Sequence, residues 1–510
     1  MAEVKHWSEV IAEQVIKDKK EPYVVASAIT TSGPVHMGTV CEFLYPSALV
    51  KYLEDNGRKT RFIFIGDIMD AFDKVPLPLA EHKFLQDYMG RPLSAVPDPY
   101  GCCESYGDHF LNDARQIMER LEATPQILKS NELYAEGRYD EYLRLFIDRL
   151  PEVRRLLEEV SGRALPRGWL DIALPICENC GRIATTTVKG FEKEIIHYMD
   201  DKVLKYTRGC GHEGDMRIAD HKYKLLWRLD WPTRQAFLDV SAEGAGMDHH
   251  TRGGSWDTAL RVHREVLGRE PPVGYKYGFV LLKGEKYSKS KGIGLGIKEL
   301  LDLVPPEIIK YSLFRPNIEE NKEFNPSSHK LIQTYDEYGK AATLFESGSV
   351  LSRAENKMIL AYELSTRKRR WRADFMDLLL NYQLYKDWDT VGEKVNDPEG
   401  VAYLKLYVEN WINLGYVPQE FIFKFSPKRI DRLNPELAAF ADRLELTMTD
   451  EGIHNLVYEV ARESGVNPSD FFKALYSTLI DKDSGPKLGR LIATIGTDKI
   501  KQTLHDLYPA

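Results

Sequence analysis

The chain has 510 residues, too many for one hydrophobic core, and this length predicts roughly three or four domains. Its 43% hydrophobic and 29% charged residues are typical of a globular protein and exclude a disordered or fibrous chain. The net charge of −8 argues against a protein that coats nucleic acid indiscriminately, whereas a local cluster of basic residues can still bind an RNA.

The amino-terminal segment MAEVKHWSEVIAEQVIKDKK has the pattern of an amphipathic helix and contains acidic residues throughout. Neither a signal peptide nor a transit peptide has that composition, so we expect a cytoplasmic protein. No run of about 18 apolar residues occurs, and we expect no membrane-spanning segment.

The first predicted strand and helix lie on either side of a glycine-containing loop. The apolar run YVVASAI at 23–29 predicts a strand, and the loop TTSGPVHMG follows it. A helical pattern begins at TVCEFLYPSALVKYLEDNG, and KTRFIFIGD at 59–67 predicts the next strand. Strand, loop, helix and strand form a βαβ unit, so the sequence predicts a parallel, Rossmann-type nucleotide-binding sheet.

The remaining segments predict an α/β protein with a helical carboxyl-terminal region. Charged helices precede a cysteine-bearing insert, and strand patterns resume at LLWRLDWP and GFVLLKG. We therefore predict an α/β body in two halves, 1–104 and 223–325, which an insert at 105–222 separates. An all-helical region is predicted at 326–510.

The segment SGPVHMGT at 32–39 is suited to phosphate binding. A loop between a strand and a helix presents free backbone N–H groups, which bind phosphate well. His36 can donate a hydrogen bond to a phosphoryl oxygen, Gly38 leaves space for a flat base, and Thr39 offers a hydroxyl. Taken alone, the histidine is equally compatible with a solvated position on a surface loop.

The segment KYSKS at 286–290 places Lys286 and Lys289 around small polar residues on a glycine-bounded loop. Such a loop can close over a triphosphate and stabilise charge on the departing pyrophosphate. A solvated surface loop is the alternative. Because the two segments occur in one chain, each after a predicted strand, they indicate an enzyme that uses ATP.

The two segments resemble the HIGH and KMSKS motifs of the class I aminoacyl-tRNA synthetases. GAGMDHH, between them, carries Gly246 and Asp248, which in this class hold the ATP ribose. The resemblance implies Mg²⁺-dependent use of ATP, with His36, Lys286 and Lys289 as catalytic residues. The predicted ATP-binding residues are Ser32, Gly33, His36, Gly38, Thr39, Gly246, Asp248, Lys286, Ser288 and Lys289.

Longer stretches resemble one family of this class, the archaeal-type class I lysyl-tRNA synthetases. They are ITTSGPVHMG, DAFDKVP, VPDPYGCCESYGDHF, WRLDWPTR, GAGMDHHTRGGSWDT and FFKALYSTLIDKDSGPKLG. The resemblance implies that L-lysine is activated to lysyl-adenylate and transferred to the terminal adenosine of tRNA(Lys). It also implies that the insert binds the tRNA acceptor end. A related synthetase for another amino acid and an inactive tRNA-binding protein of the same fold are the alternatives.

A lysine substrate needs a carboxylate for its ammonium and an apolar wall for its stem. Acids follow two of the predicted strands, at the edge where ligands bind in such sheets. The predicted amino-acid-binding residues are Ala28, Thr30, Glu42, Asp67, Asp70, Trp227 and Tyr277. Each acid is also compatible with a helix cap or a surface ion pair. Ala28, Thr31 and Tyr287 stand where the family usually has Gly, Pro and Met, which affects the expected specificity more than the expected reaction.

Six cysteines are too few for a disulfide framework in a chain of this length. We predict Cys41, Cys102 and Cys103 as free thiols. Two closely spaced pairs, CENC at 177–180 and CGH at 210–212, have the ligand types of a structural zinc site. The predicted ligands are Cys177, Cys180, Cys210 and His212; a metal-free hairpin with reduced thiols is the alternative.

The helical carboxyl-terminal region resembles the α-helical anticodon-binding domain of this family. Its densest basic run is RKRRWR at 367–372, which can hold phosphates and offers a tryptophan for stacking. The predicted tRNA-binding residues are Arg367, Lys368, Arg369, Arg370 and Trp371. A solvated helix face is the alternative. We expect a monomer, although the sequence leaves the oligomeric state open.

Overall fold

The computed structural model of the chain describes residues 5–286, 295–348 and 352–508. The chain separates into two compact units. The first contains Met1–Leu301, Ile309–Phe324 and Leu351–Ser365, and the second contains Asp302–Ile308, Asn325–Val350 and Thr366–Ala510.

The described residues form helices and strands in an order that changes from mixed to purely helical. The strands are β1 (Tyr23–Ile29), β2 (Thr60–Gly66), β3 (Gln126–Lys129), β4 (Ala173–Pro175), β5 (Thr186–Glu192), β6 (Ile195–Asp200), β7 (Glu213–Arg217), β8 (Tyr223–Leu225), β9 (Ala242–Gly246), β10 (Val273–Tyr277), β11 (Val280–Leu282), β12 (Glu285–Lys286) and β13 (Lys322–Glu323). The helices up to residue 314 are α1 (Trp7–Asp18), α2 (Cys41–Asp55), α3 (Tyr106–Arg120), α4 (Ser130–Ala135), α5 (Asp140–Asp148), α6 (Leu150–Ser161), α7 (Trp227–Phe237), α8 (Ser255–Arg261), α9 (Ile297–Leu303) and α10 (Pro306–Phe314). The later helices are α11 (His329–Ser347), α12 (Arg353–Ser365), α13 (Phe375–Tyr385), α14 (Trp388–Val395), α15 (Pro398–Asn413), α16 (Asn434–Arg443), α17 (Asp450–Glu463), α18 (Pro468–Ile480), α19 (Leu488–Ile495) and α20 (Thr497–Leu507).

A five-stranded parallel sheet is the centre of the first unit. Its strand order is β10-β9-β1-β2-β3, so the chain proceeds in one direction from β1 to β3 and in the other from β9 to β10. The central strands are nearly continuous apolar runs because helices cover both faces of such a sheet. This order places a topological switch point between β1 and β9, where ligands bind in open parallel sheets.

The segment from β4 to β8, residues 173–225, which is called the insert from here on, folds into two small antiparallel sheets. Strands β5, β6 and β7 form one sheet, and β4 pairs with β8 in the other. In the second ladder Leu174 lies opposite Lys224, so the last strand of the insert leads directly into α7 and the catalytic body.

A small sheet of β12, β11 and β13 follows the central sheet. Strands β11 and β12 form a hairpin whose two turn residues, Lys283 and Gly284, have φ angles of 52° and 80°. Positive φ at both positions is the geometry of a tight two-residue hairpin, and a glycine at the second position favours it. The hairpin brings Lys286 to the edge of the first unit's cavity.

The second unit is helical from α11 onward, except that α12 belongs to the first unit, where it contacts α2. Trp411 on α15 is 1% exposed, and its Nε1 donates to the carbonyl of Pro326 at 2.8 Å. Side-chain caps by Asp374, Asp387 and Asp397 begin three successive helices, α13, α14 and α15.

The α/β class predicted from the sequence, with a parallel Rossmann-type sheet and a helical carboxyl-terminal region, is confirmed. The four-part division at residues 104, 222 and 325 stays a prediction, and the structure assigns Leu351–Ser365 to the first unit and not to the carboxyl-terminal region. No helix within the described ranges combines the length and apolar character needed to cross a membrane.

Candidate active site

A cavity of 990 Å³ opens at the carboxyl ends of β1, β2, β9 and β10. It spans the switch point between β1 and β9, so residues that follow different strands converge on one space. We call the part of the lining formed by the loop after β1, Asp248 and the hairpin the nucleotide end, and the part formed by the predicted acids and aromatic rings the amino-acid end.

The loop after β1 orients the His36 ring. The backbone N–H groups of Gly38 and Thr39 donate to His36 Nδ1 at 3.1 and 3.2 Å. Because Nδ1 accepts these bonds, the proton of the neutral ring lies on Nε2.

Two glycines are required by close approaches within this end of the cavity. A Cβ at Gly38 would lie 3.0 Å from His36 Cε1, and a Cβ at Gly246 would lie 2.6 Å from Asp248 Oδ1. Any side chain at these positions would displace the His36 ring or the Asp248 carboxylate. The glycines thus fix two groups that the sequence assigned to ATP.

Lys286, at the end of the hairpin, is the described cation at the nucleotide end. Its Nζ lies 3.8 Å from Asp248 Oδ2 and 3.6 Å from the centre of the Phe279 ring. The side chain is 53% exposed, so this ion pair is weak and can open for a phosphate. Ser288 and Lys289, predicted to act with Lys286, lie outside the described residues.

Glu42, in the first turn of α2, lies at the other end of the cavity. Burial raises the pKa of its half-buried carboxyl to about 7, and the charges of Glu243 and Asp248 act in the same direction. Hydrogen bonds from Tyr277 and Ser27 work against this rise in pKa, Ser27 Oγ lying 3.4 Å from Glu42 Oε2, and no Lys or Arg forms an ion pair with Glu42 among the described residues. A cationic ligand would supply the missing positive charge.

Asp67 and Asp70, the other two predicted acids, already have a cationic partner. Lys224 Nζ donates to Asp67 Oδ1 and Oδ2 at 2.8 and 2.7 Å and also to Asp70 Oδ1. Arg234 Nη1 lies 3.8 Å from Asp67 Oδ2. All three predicted acids line the cavity, but only Glu42 does so without a basic partner among the described residues.

Aromatic and apolar groups complete the amino-acid end. The Trp227 indole stacks on Trp231 with ring centroids 5.4 Å apart, and its Nε1 donates to Ser255 Oγ at 3.2 Å. Tyr277, at the end of β10, and Ala28, on β1, line the same wall. The methyl group of Ala28 therefore occupies the surface on which a substrate stem would lie.

The predicted nucleotide-binding and amino-acid-binding residues that the structure describes all line the cavity, except Gly33. Sequence reasoning missed other lining residues: Ile29, Arg234, His249, Gly278, Phe279, Val280 and Glu285. His249, directly after Asp248, could have been found from its position in GAGMDHH. The roles assigned to all these residues stay predictions.

The insert brings three cysteines together with a fourth group that sequence reasoning did not select. Ligand atoms of Cys177, Cys180, Asp200 and Cys210 all lie within 4.8 Å of one another. His212, the predicted fourth ligand, lies outside this group, and its Nε2 is 2.8 Å from Glu178 Oε1. Asp200 replaces it because β6 and the 210–212 turn meet there, where the Cys210 N–H donates to Asp200 Oδ2 at 2.9 Å.

This group has the dimensions of a tetrahedral zinc site. The sulfurs of Cys177 and Cys210 are 3.7 Å apart, and two sulfur ligands of one zinc are about 3.8 Å apart at Zn–S distances of about 2.3 Å. Asp200 Oδ1 is buried without a hydrogen-bond partner, as expected of an atom available to a metal ion. The residues therefore fit structural zinc.

A second group of metal-ligand types lies at the start of α3. Asp98, Cys102, Cys103 and His109 place their ligand atoms within 4.8 Å of one another. Cys102 Sγ is 3.6 Å from Cys103 Sγ and 3.2 Å from His109 Nδ1. The prediction of Cys102 and Cys103 as unremarkable free thiols overlooked this arrangement, because Asp98 and His109 do not have a recognised spacing in the sequence.

The basic run at 367–372 lies in a loop between α12 and α13, not on a helix face. Trp371 is 4% exposed and stacks on Tyr338 and Tyr403, a packing that does not favour its predicted stacking on a base. Arg369 Nη1 pairs with Glu346 Oε2 at 2.9 Å, whereas Arg367, Lys368 and Arg370 are exposed. Arg370 Nε lies 3.9 Å from Glu307 Oε1.

The chain has relatives among known proteins. The sequence model of the family described as tRNA synthetases class I (K) matches residues 5–368. A lysine–tRNA ligase from Archaeoglobus fulgidus is 31% identical and covers 98% of this chain and 99% of its own length. A lysine–tRNA ligase from Methanosarcina barkeri is 32% identical over 97% of this chain and 96% of its own, and lysine–tRNA ligase 1 from Methanosarcina acetivorans is 33% identical over 96% of each. The chain belongs to the class I (K) family of tRNA synthetases.

Proposed function

We propose that this protein is a lysine–tRNA ligase, which activates L-lysine with ATP and transfers the lysyl group to the terminal adenosine of tRNA(Lys). AMP and pyrophosphate are the other products. The near full-length similarity to lysine–tRNA ligases supports the reaction. We propose a cytoplasmic location, because charged tRNA supplies protein synthesis there.

The observation that carries the proposal is the single cavity with two chemically different ends. His36, Asp248 and Lys286 line one end, and Glu42 lines the other. The first set provides hydrogen-bond donors, a ribose acceptor and a mobile cation for ATP. Glu42 provides a carboxylate without a basic partner among the described residues, as a side-chain ammonium requires.

Positioning and electrostatic stabilisation account for the activation step. The lysine carboxylate is already ionised, so it attacks the α-phosphorus without a protein base. His36 Nε2–H and the Lys286 ammonium stabilise negative charge on the phosphate oxygens as the pyrophosphate leaves. Mg²⁺ brought by ATP would supply further neutralisation of that charge. We extend the same role to Lys289 on the strength of the motif.

The insert and the helical unit are proposed to serve tRNA binding. We propose that Cys177, Cys180, Cys210 and Asp200 hold a structural zinc ion, which uses four protein ligands and leaves no open position for catalysis. Zinc content per chain should fall after Asp200→Asn but not after His212→Asn; the opposite result would restore His212 as the ligand. Arg367 and Lys368 are the exposed residues we propose to contact phosphates.

The direct test is ATP–pyrophosphate exchange with each of the twenty amino acids, with and without total tRNA. Lysine-dependent exchange is the expected result. Exchange with a different amino acid would show that the cavity selects another substrate, as in a paralogue. Absence of exchange under every condition would favour an inactive tRNA-binding protein of the same fold.

A further inference from the structure

Lys224 is a buried lysine that acts on the cavity from outside its lining. It lies on β8, the last strand of the insert, and its side chain is 3% exposed. An ammonium has three N–H donors, and those of Lys224 are used by both oxygens of Asp67 and by Asp70 Oδ1. The insert therefore supplies a positive charge to two acids of the catalytic body.

Asp70 transmits this contact to the cavity wall. Its side chain is 32% exposed, and its second oxygen, Oδ2, accepts a hydrogen bond from Thr30 Oγ1. Asp70 and Thr30 both line the cavity, whereas Lys224 does not. Among the described residues no other lysine or arginine forms an ion pair with Asp70. Lys224 and Thr30 thus fix the orientation of Asp70.

The neighbouring charges explain why the arrangement is stable. Burial works against the Lys224 ammonium, but Asp67 and Asp70 outweigh this effect and hold its pKa above the usual value. Burial also works against the Asp67 carboxylate, and Lys224 and Arg234 together hold its pKa below the usual value. Removal of the lysine would leave Asp67 and Asp70 facing each other without the ammonium between them.

We infer that Lys224 is a positioning residue for amino-acid binding, an inference that rests on the proposed function. It forms ion pairs with both Asp67 and Asp70 and holds Asp70 against Thr30. Glu42 is then the acid at this end of the cavity that takes the side-chain ammonium of the substrate. The pocket consequently accepts one side-chain cation at a defined position, instead of binding cations at several acids.

Lys224→Met tests this inference because methionine keeps the length of the side chain and removes its charge. Without the ammonium the two nearby carboxylates repel each other, so we expect one of them to bind a proton at a higher pH than in the wild type. The measured quantity is kcat/KM for lysine in ATP–pyrophosphate exchange. At pH 8 it should fall roughly three- to tenfold through a raised KM for lysine, and its ratio to the wild-type value should change between pH 8 and pH 6. KM for ATP should not change.

The other titratable groups around the two acids are the same in both proteins. They are Arg234, Tyr134 and Asp230, and burial raises the pKa of Asp230 to about 6. Because Asp230 titrates in the wild type as well, the variant profile is compared with the wild-type profile. Lys310→Met, which removes another buried lysine from its ion pair with Glu122, is the matched control and should keep the wild-type profile.

A double variant covers the case in which Lys224→Met fails to fold. Lys224→Met/Asp67→Asn removes the buried ion pair as a whole, a change that folded proteins usually tolerate. The like-charge contact is then absent, so the ratio to the wild-type value should no longer change between pH 8 and pH 6. KM for lysine should remain raised several-fold, roughly three- to tenfold, because no ammonium holds Asp70.

The possible results of these experiments test this inference and the proposed function separately. A folded Lys224→Met variant with the wild-type pH profile and lysine KM would overturn the positioning role, as would a double variant with the wild-type lysine KM. Lysine-dependent exchange in the wild type would still support the proposed function. If the wild type shows no lysine-dependent exchange, the proposed function and the inference both fail.

Discussion

The two ends of the cavity achieve recognition in different ways. At the nucleotide end, backbone amides orient His36, glycines allow close approaches, and Lys286 is an exposed cation in a weak ion pair. At the amino-acid end, most charges are buried: Lys224 pairs with two acids, and burial raises the pKa of Glu42. The first end relies on local backbone geometry and the second on charges contributed by distant parts of the chain.

This difference predicts which substitutions should slow the chemical step and which should weaken substrate binding. Donors at the nucleotide end act on charge that develops during the reaction, so their loss should lower kcat. A buried, uncompensated carboxylate acts on a charge that the substrate carries from the start. Its loss should therefore appear in kcat/KM for the amino acid and not in the use of ATP.

The largest expected effect is that of His36→Ala. Removal of the Nε2–H donor should lower kcat for lysine-dependent exchange by about 10²–10³-fold, with less than about a threefold change in KM for ATP. Steady-state exchange kinetics at varied ATP give both constants. His197→Ala, at an exposed histidine of the insert, is the control. If KM for ATP rose by as much as kcat fell, His36 would contribute to binding ATP in the ground state and not only to the transition state.

Glu42→Gln should give the next largest effect, at the opposite end. The substitution keeps the shape of the side chain and removes the charge that faces the lysine ammonium, so kcat/KM for lysine should fall about 30–100-fold. KM for ATP should stay within about twofold of the wild type. Glu13→Gln, at an exposed glutamate on α1, is the matched control. If kcat/KM for lysine were unaltered, the lysine ammonium would have to bind to a different acid.

The pH dependence of lysine use should distinguish the two ends without a mutation. Burial raises the pKa of Glu42 to about 7, so the carboxylate is present above that pH and becomes protonated below it. We expect kcat/KM for lysine to fall about tenfold between pH 8 and pH 6, since this ratio reports the free enzyme. The same ratio for ATP should change less. A Glu42→Gln variant with the same fall would exclude Glu42 as the titrating group.

The smallest expected effect concerns Ala28, where the family usually has glycine. Its methyl group lines the wall of the cavity, and loss of one buried methyl group costs about 0.8 kcal/mol, or roughly a threefold rise in KM for lysine after Ala28→Gly. Ala26→Gly, on the same strand but fully buried and outside the cavity lining, controls for the cost of a glycine in β1. A fall in KM would show that the methyl group obstructs lysine.

The sequence predicted the nucleotide end more completely than the amino-acid end. Ser32, His36, Gly38 and Thr39 are neighbours in the chain, so one motif contained most of the geometry that positions them. Lys224 was not predicted, because a lysine in a short strand of the insert gives no indication that its ammonium lies between two carboxylates. Glu42 was predicted together with two equivalent acids, and only their ion pairs distinguished it from them.

The metal-ligand cluster and Trp371 show the same limit of sequence reasoning, which does not reveal contacts between residues that are distant in the chain. Cys177, Cys180 and Cys210 were found by their spacing, but the fourth member of the group, Asp200, is contributed by β6, ten residues before Cys210. Trp371 was predicted to stack on RNA because it lies in a basic run, yet its ring packs between two tyrosines of the helical unit. Spacing detects ligands within one turn or loop and gives no information on which side chains pack into a core.

The sequence by itself determined the order of the elements, the parallel α/β body and the loop that presents His36. Hydrophobic periodicity and glycine positions depend on neighbouring residues, which is why they can be read along the chain. Only the tertiary structure decided which acid remains without a basic partner and which cysteines meet an aspartate. Those properties depend on burial and on charges brought together from distant segments, because the energy of a charge is set by everything packed around it.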